Sequence, residues 1–268
     1  MSDLIQHTPK PRTRDTIRRD LQEMGIQKGM TIMVHSSLSS IGWVNGGAVA
    51  VIQALMDVVT EQGNIVMPSQ SDDAVDPSYW SKPSVPEEWW EEIRNTFPAY
   101  HPNYTPASRM GQIVDIFRTF PNVKRSSHPH NSFAAWGKDS ETIIQDHSLD
   151  FSFGEESPLK TLYDLDANIL FIGTDYGSCT AFHLAENRTY FKEIITKKAT
   201  VLENDEEIRK SFQDLETRED LFEQIGLDFE KQYGVTKGLI GSASSRLFSL
   251  QEAVDYAEKW LNHYYQSG

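Results

Sequence analysis

Two short apolar runs lie near the N-terminus, separated by a longer segment with helical periodicity. The run from Met30 to His35 is rich in apolar and β-branched residues and predicts a strand. The segment from Gly47 to Glu61 has apolar residues at helical spacing and ends at Gly63. Asn64 to Met67 then predicts a second buried strand. A helix between two such strands indicates a βαβ crossover, so we expect a sheet that is at least partly parallel.

The next stretch, roughly residues 69–108, has a different composition. It is rich in proline and contains Trp80, Trp89 and Trp90, which is typical of an insertion and not of a second core. Because a single core can extend to roughly 250 residues, we predict one α/β domain over residues 1–268, with a mixed, partly parallel sheet flanked by helices. Further elements are predicted as a helix at 112–119, a strand at 132–136, a short helix after Ser157, a strand at 168–173, a helix at 180–188 and a C-terminal helix after Ser249.

Composition narrows the classes of partner. A net charge of -14 and a pI near 5.0 disfavour nucleic acid, whose phosphates such a surface repels, and favour a small cationic molecule. The single cysteine, Cys179, excludes an internal disulfide and is consistent with a reducing compartment. The N-terminus lacks the apolar stretch of a secretory signal, and no apolar run approaches the ~20 residues of a membrane helix. We therefore expect a cytoplasmic protein with no membrane partner.

A serine-rich segment follows the first predicted strand. Ligands of α/β sheets bind where strands end, and hydroxyl and backbone N–H groups there can hold an anion. The segment has neither the lysine of a P-loop nor the glycine pattern of a dinucleotide fold, and an ordinary turn is the alternative interpretation. The candidate cofactor-binding residues in it are His35, Ser36, Ser37, Leu38, Ser39, Ser40 and Gly42.

A second polar segment, residues 123–133, concentrates cations, hydroxyls and imidazoles in an otherwise acidic chain. Such a positive patch suits a cofactor phosphate, and Arg125, Ser126 and Phe133 are the candidate contacts. His128 and His130 raise the possibility of a metal site. Because Pro129 separates them and no third ligand is nearby, we expect structural histidines and no bound metal.

The third segment, residues 173–187, again follows a buried strand and opens a helix. On that helix His183 and Glu186 stand three residues apart and therefore share a face. An imidazole beside a carboxylate is the arrangement that a general base requires, although a packed histidine is the commoner role. Cys179, four residues before His183, is a candidate nucleophile for an alternative, covalent route.

These segments together resemble the aminoglycoside N3-acetyltransferase family over nearly the whole chain and in the same order. The matching stretches are VHSSLSSIGWVNGGAVAVIQAL, IVMPSQS, the Arg125-Ser126-x-His128-Pro129 and SFAAWG stretches, Ser157-Pro158-Leu159, FIGTDYGSCTAFHLAEN and GSASSRLFSL. The resemblance implies an α/β fold distinct from the GNAT acetyltransferases, acetyl-CoA as cosubstrate and His183 as the base. It also implies that the loop from His35 to Gly42 holds the diphosphate and pantetheine of acetyl-CoA.

By the same likeness, Asp72, Asp175 and Glu186 are expected to face a cationic acceptor. The predicted reaction moves an acetyl group to the 3-amino group of a 2-deoxystreptamine aminoglycoside in a ternary complex, with Glu186 orienting His183. The alternatives are a different amine acceptor, transfer through an acetylated Cys179, and a non-catalytic binder of cationic antibiotics or polyamines. The binder would use the acidic stretches 72–76 and 87–92. The natural acceptor, the oxyanion donor and the oligomeric state stay open.

Overall fold

Three parallel strands form the centre of a seven-stranded mixed sheet in the computed structural model, which describes residues 2–71, 74–80, 84–204 and 206–267. The seven strands are β1 (Thr31–Ser36), β2 (Asn64–Pro68), β3 (Lys124–Arg125), β4 (Phe133–Gly137), β5 (Asn168–Ile172), β8 (Thr236–Ile240) and β9 (Ala243–Ser249). Their order across the sheet is β3-β4-β2-β1-β5-β9-β8, and β1 pairs in parallel with β2 and β5. Antiparallel pairs complete both edges.

The remaining two strands, β6 (Ile194–Glu203) and β7 (Glu206–Leu215), pair only with each other and form a separate antiparallel hairpin. The hairpin contacts the Pro/Trp-rich insertion, where the backbone N–H of Tyr100 donates to the carbonyl of Thr200 at 3.1 Å. The predicted mixed, partly parallel sheet is confirmed, whereas the hairpin was not predicted.

Helices cover both faces of the sheet and bury two apolar cores. The helices are α1 (Ser2–Gln6), α2 (Arg14–Glu23), α3 (Leu38–Ile41), α4 (Gly47–Val59), α5 (Trp90–Thr96), α6 (Gln112–Phe117), α7 (Ser140–Gln145), α8 (Pro158–Asp164), α9 (Phe182–Arg188), α10 (Phe222–Phe229) and α11 (Leu250–Ser267). One core packs α2, α4 and α6 against one face, and the other packs α8, α9, α10 and α11 against the opposite face. The architecture is therefore three layers, α/β/α. None of the described helices is both long and apolar enough to cross a membrane.

Parallel pairing brings the carboxyl ends of β1, β2 and β5 to one edge of the sheet, and the loops that follow these strands meet there. The loop after β5 approaches the serine-rich loop so closely that a Cβ at Gly173 would lie 2.3 Å from the Cβ of Ser40. Gly173 also has a φ of +70°, which disfavours other residues. This glycine therefore sets the spacing between the two loops.

We expect Gly173→Ala to lower the free energy of unfolding by at least about 2 kcal/mol, because the new methyl group adds a clash to an unfavourable backbone conformation. Denaturant titration measures the change. Gly234→Ala is the matched control, since no atom lies within 4 Å of its added Cβ. It should cost less than about 1 kcal/mol. Equal stability of the two variants would contradict the tight packing of the loops.

Candidate active site

His183 lies on α9 with a carboxylate at each ring nitrogen. Its Nδ1 is 2.7 Å from Oε2 of Glu186, one turn along the helix, and its Nε2 is 3.5 Å from Oε1 of Glu219. The other oxygen of Glu186 accepts a 2.6 Å hydrogen bond from the backbone N–H of Arg218, the residue before Glu219. Glu186 thus holds both the ring and the segment that carries the second carboxylate.

Two aromatic rings fix the plane of the imidazole. Phe153 stacks on His183 with centroids 4.5 Å apart and planes 8° from parallel, and Phe222 makes an edge contact at 4.9 Å. The side chains of His183 and Glu186 are only 5% and 8% exposed. Because the ring is confined on both faces and tied at Nδ1, its remaining nitrogen points in one defined direction.

The two carboxylates determine the protonation of His183. Burial lowers the pKa of His183, but the hydrogen bonds from the ring to Glu186 and Glu219, together with the charges of both residues, raise it to about 9. The contact with His183 in turn lowers the pKa of Glu219. The surroundings of the ring therefore favour the imidazolium form of His183 near neutral pH.

The Nε2 side of His183 borders a cleft of about 250 Å³ at the carboxyl ends of the parallel strands. His35 and Ser36, at the end of β1, line the same cleft. His35 Nε2 and Ser36 Oγ are buried and have no hydrogen-bond partner among the described residues. Burial, followed by repulsion from His183, lowers the pKa of His35 to about 3, so its ring is neutral. The cleft therefore combines a charged acid–base group with two unused polar groups.

The serine-rich loop beyond Ser36 is held by its own hydroxyl groups. Ser40 Oγ donates to Ser37 Oγ at 2.8 Å, and the hydroxyls of Ser37 and Ser39 are 3.2 Å apart. Leu38 begins α3, and Gly42 ends it with a φ of +94° beside Thr8 and Ser242. The structure thus brings His35 and Ser36 together with His183, and it places the rest of the predicted cofactor loop next to the cleft.

Comparison with known proteins identifies the fold and its chemistry. The sequence profile of the family described as aminoglycoside 3-N-acetyltransferase matches residues 33–262. This chain belongs to that family. An aminoglycoside N(3')-acetyltransferase-like protein from a Bacillus subtilis prophage, YokD, is 54% identical over 97% of this chain and 96% of its own. Its crystal structure superposes with a TM-score of 0.98 and covers 100% of both chains.

Two further members of the family bear on the reaction. Aminoglycoside N(3)-acetyltransferase VII of Streptomyces paromomycinus is 30% identical over 96% of this chain and 94% of its own. The structure described as AAC-IIIb binary with CoASH has a TM-score of 0.84 and 28% identity, covering 95% of this chain and 97% of that one. The family and its mixed α/β fold are therefore established, and the protein is an acetyltransferase.

The second polar segment of this acetyltransferase does not face the cleft. Arg125 is buried, and its guanidinium donates to Ser132 Oγ at 2.9 Å, to the carbonyl of Ser69 at 2.5 Å and to the carbonyl of Thr105. Ser126 Oγ accepts from the backbone of Phe133 at 2.9 Å, and Phe133 is fully buried. These residues fasten the insertion to the sheet, so the structure does not support our prediction that Arg125, Ser126 and Phe133 contact the cofactor.

The predicted acceptor-binding carboxylates are dispersed. Asp175 is exposed, between two residues that line the cleft, whereas Asp72 lies outside the described residues. Glu186 is buried behind His183 with both oxygens hydrogen bonded, so it is placed to orient the ring and not to contact a substrate. The carboxylate that does face the cleft is Glu219, which we did not predict. It lies 36 residues after His183 in an acidic stretch that resembles an ordinary helix start.

The remaining candidates for nucleophilic or metal chemistry are buried side chains, although Cys179 also lines the cleft. Cys179 is fully buried, and burial raises the pKa of its thiol to about 12, which disfavours the thiolate that a covalent route needs. His128 and His130 are also buried. Among the described residues, no group of three or more histidine, cysteine, aspartate or glutamate side chains is arranged to hold a metal ion.

We expect Arg125→Met to lower the free energy of unfolding by at least about 2 kcal/mol, because it removes a buried group of charge-assisted hydrogen bonds and takes its donor from the carbonyl of Thr105. Thermal unfolding measures the change. Below the transition, KM for acetyl-CoA should be unchanged, whereas a rise in KM would restore Arg125 as a cofactor contact. Lys124→Met is the control. Lys124 pairs with Glu141 on the surface, and its loss should cost less than about 1 kcal/mol.

Proposed function

We propose that this acetyltransferase moves the acetyl group of acetyl-CoA to a primary amine in a ternary complex, with His183 as the general base. The observation that carries the proposal is the geometry of His183: Nδ1 is tied to Glu186 while Nε2 borders the cleft. In the reactive form, the neutral ring donates its Nδ1 hydrogen to Glu186 and presents a lone pair at Nε2. The acceptor predicted from the family resemblance is the 3-amino group of a 2-deoxystreptamine aminoglycoside.

Conversion of an acceptor ammonium to an amide removes two protons from its nitrogen, and the leaving thiolate takes up one of them. His183 Nε2 removes the proton from the acceptor ammonium, and the free amine attacks the thioester carbonyl to form a new C–N bond. The C–S bond then breaks as the amide forms. His183 passes the first proton to solvent, removes the second proton from the nitrogen of the tetrahedral intermediate and delivers it to the CoA thiolate. The neutral histidine is restored, one proton is released to solvent in each turnover, and no other co-reactant is required.

The tetrahedral intermediate carries a negative charge on the former carbonyl oxygen. Preorganised donors aimed at such an oxygen are often the largest contribution to catalysis. His35 and Ser36 are suited to this role, because each has a buried polar atom without a partner among the described residues at the edge of the cleft. The neutral state of His35 at physiological pH keeps an N–H donor on its ring without adding a charge.

Glu219 links acceptor binding to proton removal. It is 3.5 Å from the nitrogen that acts as base, and its side chain is 63% exposed. An ammonium group that enters beside Nε2 competes with the imidazolium for this carboxylate. This competition lowers the pKa of His183 and favours loss of its proton when the acceptor arrives. The same carboxylate attracts a cationic acceptor, which suits the amino sugars named for the Streptomyces relative.

We expect His183→Ala to reduce kcat by roughly 10²–10⁴-fold, the usual contribution of acid–base assistance. Thiol release from acetyl-CoA that depends on an added aminoglycoside measures it, and calorimetric titration checks cosubstrate binding separately. His263→Ala is the matched control, because His263 is exposed on α11. Near-normal turnover of the His183 variant would show that His183 is not the base. If adding an amine causes no thiol release from acetyl-CoA with the wild-type protein, a non-catalytic binder is favoured.

The pKa of His183 predicts the pH dependence. Because the base must be unprotonated and its pKa in the free protein is about 9, kcat/KM should rise with pH up to about that value. Glu219→Gln removes one group that raises the pKa, so the rise should move to lower pH. Asp220→Asn, which changes an exposed neighbour paired with Arg218, should leave it in place. An unshifted profile in the Glu219 variant would contradict the role assigned to that carboxylate.

A further inference from the structure

A second cavity, of about 600 Å³, lies between the β6–β7 hairpin and the insertion, and we call it the hairpin pocket. It is larger than the cleft beside His183, which at about 250 Å³ has little room beyond the reacting groups. The residues of the hairpin pocket that matter for its chemistry are Asp76 and Arg94 from the insertion, His130, and Lys197, Lys198 and Arg209 from the hairpin.

Two guanidinium groups in the hairpin pocket share one carboxylate. Arg94 makes two hydrogen bonds of 2.7 Å to Asp76, and Arg209 approaches the same carboxylate at 3.9 Å. The hydrogen bonds from Arg94 hold the pKa of Asp76 well below its usual range, so the carboxylate is fully charged. One negative charge cannot neutralise two positive charges, and the cluster therefore keeps an excess of positive charge.

Two lysines also line the pocket, and one of them, Lys198, adds to this excess. Lys197 is paired at 3.0 Å with Asp214, which lies buried behind the pocket wall. Lys198 has no ion-pair partner among the described residues. Four cationic side chains and two carboxylates, Asp76 and Glu216, thus line the described part of this pocket, in a chain whose net charge is -14. A local positive region in so acidic a protein requires an explanation beyond solubility.

His130 forms part of the wall of the hairpin pocket. Its side chain is buried, with the residue only 3% exposed. Its Nε2 donates to the carbonyl of Ala74 at 3.1 Å, and burial lowers the pKa of His130 to about 4, so the ring is neutral. The positive charge of the pocket therefore comes from the arginine and lysine side chains alone.

The hairpin pocket lies next to the acceptor side of the active site. Thr217 lines the pocket and stands two residues before Glu219, which lies beside His183 Nε2. The charge of Lys197 also helps to lower the pKa of Glu219, which places the ammonium within electrostatic range of that carboxylate. A ligand that spans both cavities would hold one end at His183 and the other among the cationic side chains.

We propose that the hairpin pocket is an anion subsite of the active site, which binds a phosphate group of one of the two substrates through Arg94, Arg209 and Lys198. Planar guanidinium groups match phosphate oxygens in pairs, and lysine adds a mobile charge. The phosphate belongs either to a phosphorylated amine acceptor or to CoA. The assignment to a substrate rests on the proposed acetyl transfer, whereas phosphate binding itself does not.

Direct binding tests the subsite without turnover. Inorganic pyrophosphate should raise the unfolding temperature of the wild-type protein in a concentration-dependent way, because it binds the folded state. Arg209→Gln and Lys198→Gln should each weaken its binding about fivefold or more, through loss of a charged hydrogen-bond donor. Lys210→Gln removes one positive charge from the same hairpin outside the pocket and should retain wild-type affinity. Arg209 also donates to the carbonyl of Arg94, so Arg209→Gln could weaken binding by disturbing the structure of the pocket. Lys198→Gln removes a charge without breaking such a bond and therefore separates the two effects.

Two kinetic ratios identify the source of the phosphate. The first ratio compares kcat/KM for phosphoethanolamine with kcat/KM for ethanolamine. If Lys198→Gln lowers this ratio about fivefold, the subsite binds the phosphate of the acceptor. The second ratio compares kcat/KM for acetyl-CoA with kcat/KM for acetyl-dephospho-CoA. If Lys198→Gln lowers this ratio by the same factor, the subsite binds the phosphate of the cosubstrate. If pyrophosphate fails to bind, or binds all variants equally, the subsite is refuted. Pyrophosphate binding that depends on Lys198, without acetyl transfer to any amine, would instead overturn the proposed function and leave the subsite standing.

Discussion

The buried hydrogen bond between Glu186 and His183 fixes the catalytic half of the cleft, which holds the base and the carboxylate opposite it. Burying a carboxylate and an imidazole is costly unless each finds partners. Glu186 meets that requirement with one oxygen on His183 Nδ1 and the other on the backbone of Arg218. The second bond fixes the start of the turn that carries Glu219. A single carboxylate therefore sets the direction of the ring and the position of the opposing charge.

The sheet supplies the other half of the cleft by a different constraint. Parallel pairing of β1 with β5 places Ser36 beside Ile172, so the loops that follow the two strands begin at adjacent positions on the same edge of the sheet. Gly173 then lets the β5 loop pass directly over the serine-rich loop. The polar atoms of His35 and Ser36 are left at the cleft without a partner among the described residues. Backbone geometry, not side-chain choice alone, thus brings these groups into range of α9.

The sequence predicted the structural features that depend only on the spacing of neighbouring residues. The strands and helix of the first βαβ unit and the pairing of His183 with Glu186 follow from periodicities of two and 3.6 residues. No element was predicted between Arg188 and Ser249, where β6–β9 and α10 lie. The strand β7, EEIRKSFQDL, is exposed over most of its length and lacks the alternation that marks a half-buried strand.

Tertiary contacts explain where the site differs from these expectations. The sequence shows that Arg125 is charged, but not that Ser69 and Thr105 surround it with acceptors, because those partners come from distant parts of the insertion. The role of Glu219 was missed for the same reason, since its contact with His183 exists only after α9 and the following hairpin have packed together. The sequence indicates which ligands a charged side chain can bind. Its burial in the folded protein decides whether that side chain is accessible to a ligand.

The distribution of charge across the two cavities bears on how a substrate is oriented. Glu219 places negative charge beside the base, whereas Arg94, Arg209 and Lys198 place positive charge in the hairpin pocket. A field of this polarity favours a substrate whose ammonium group points toward His183 and whose anionic group points away from it. The reverse orientation would set like charges against each other at both ends. Electrostatics alone can therefore select which end of a bifunctional molecule reaches the thioester, before any close contact forms.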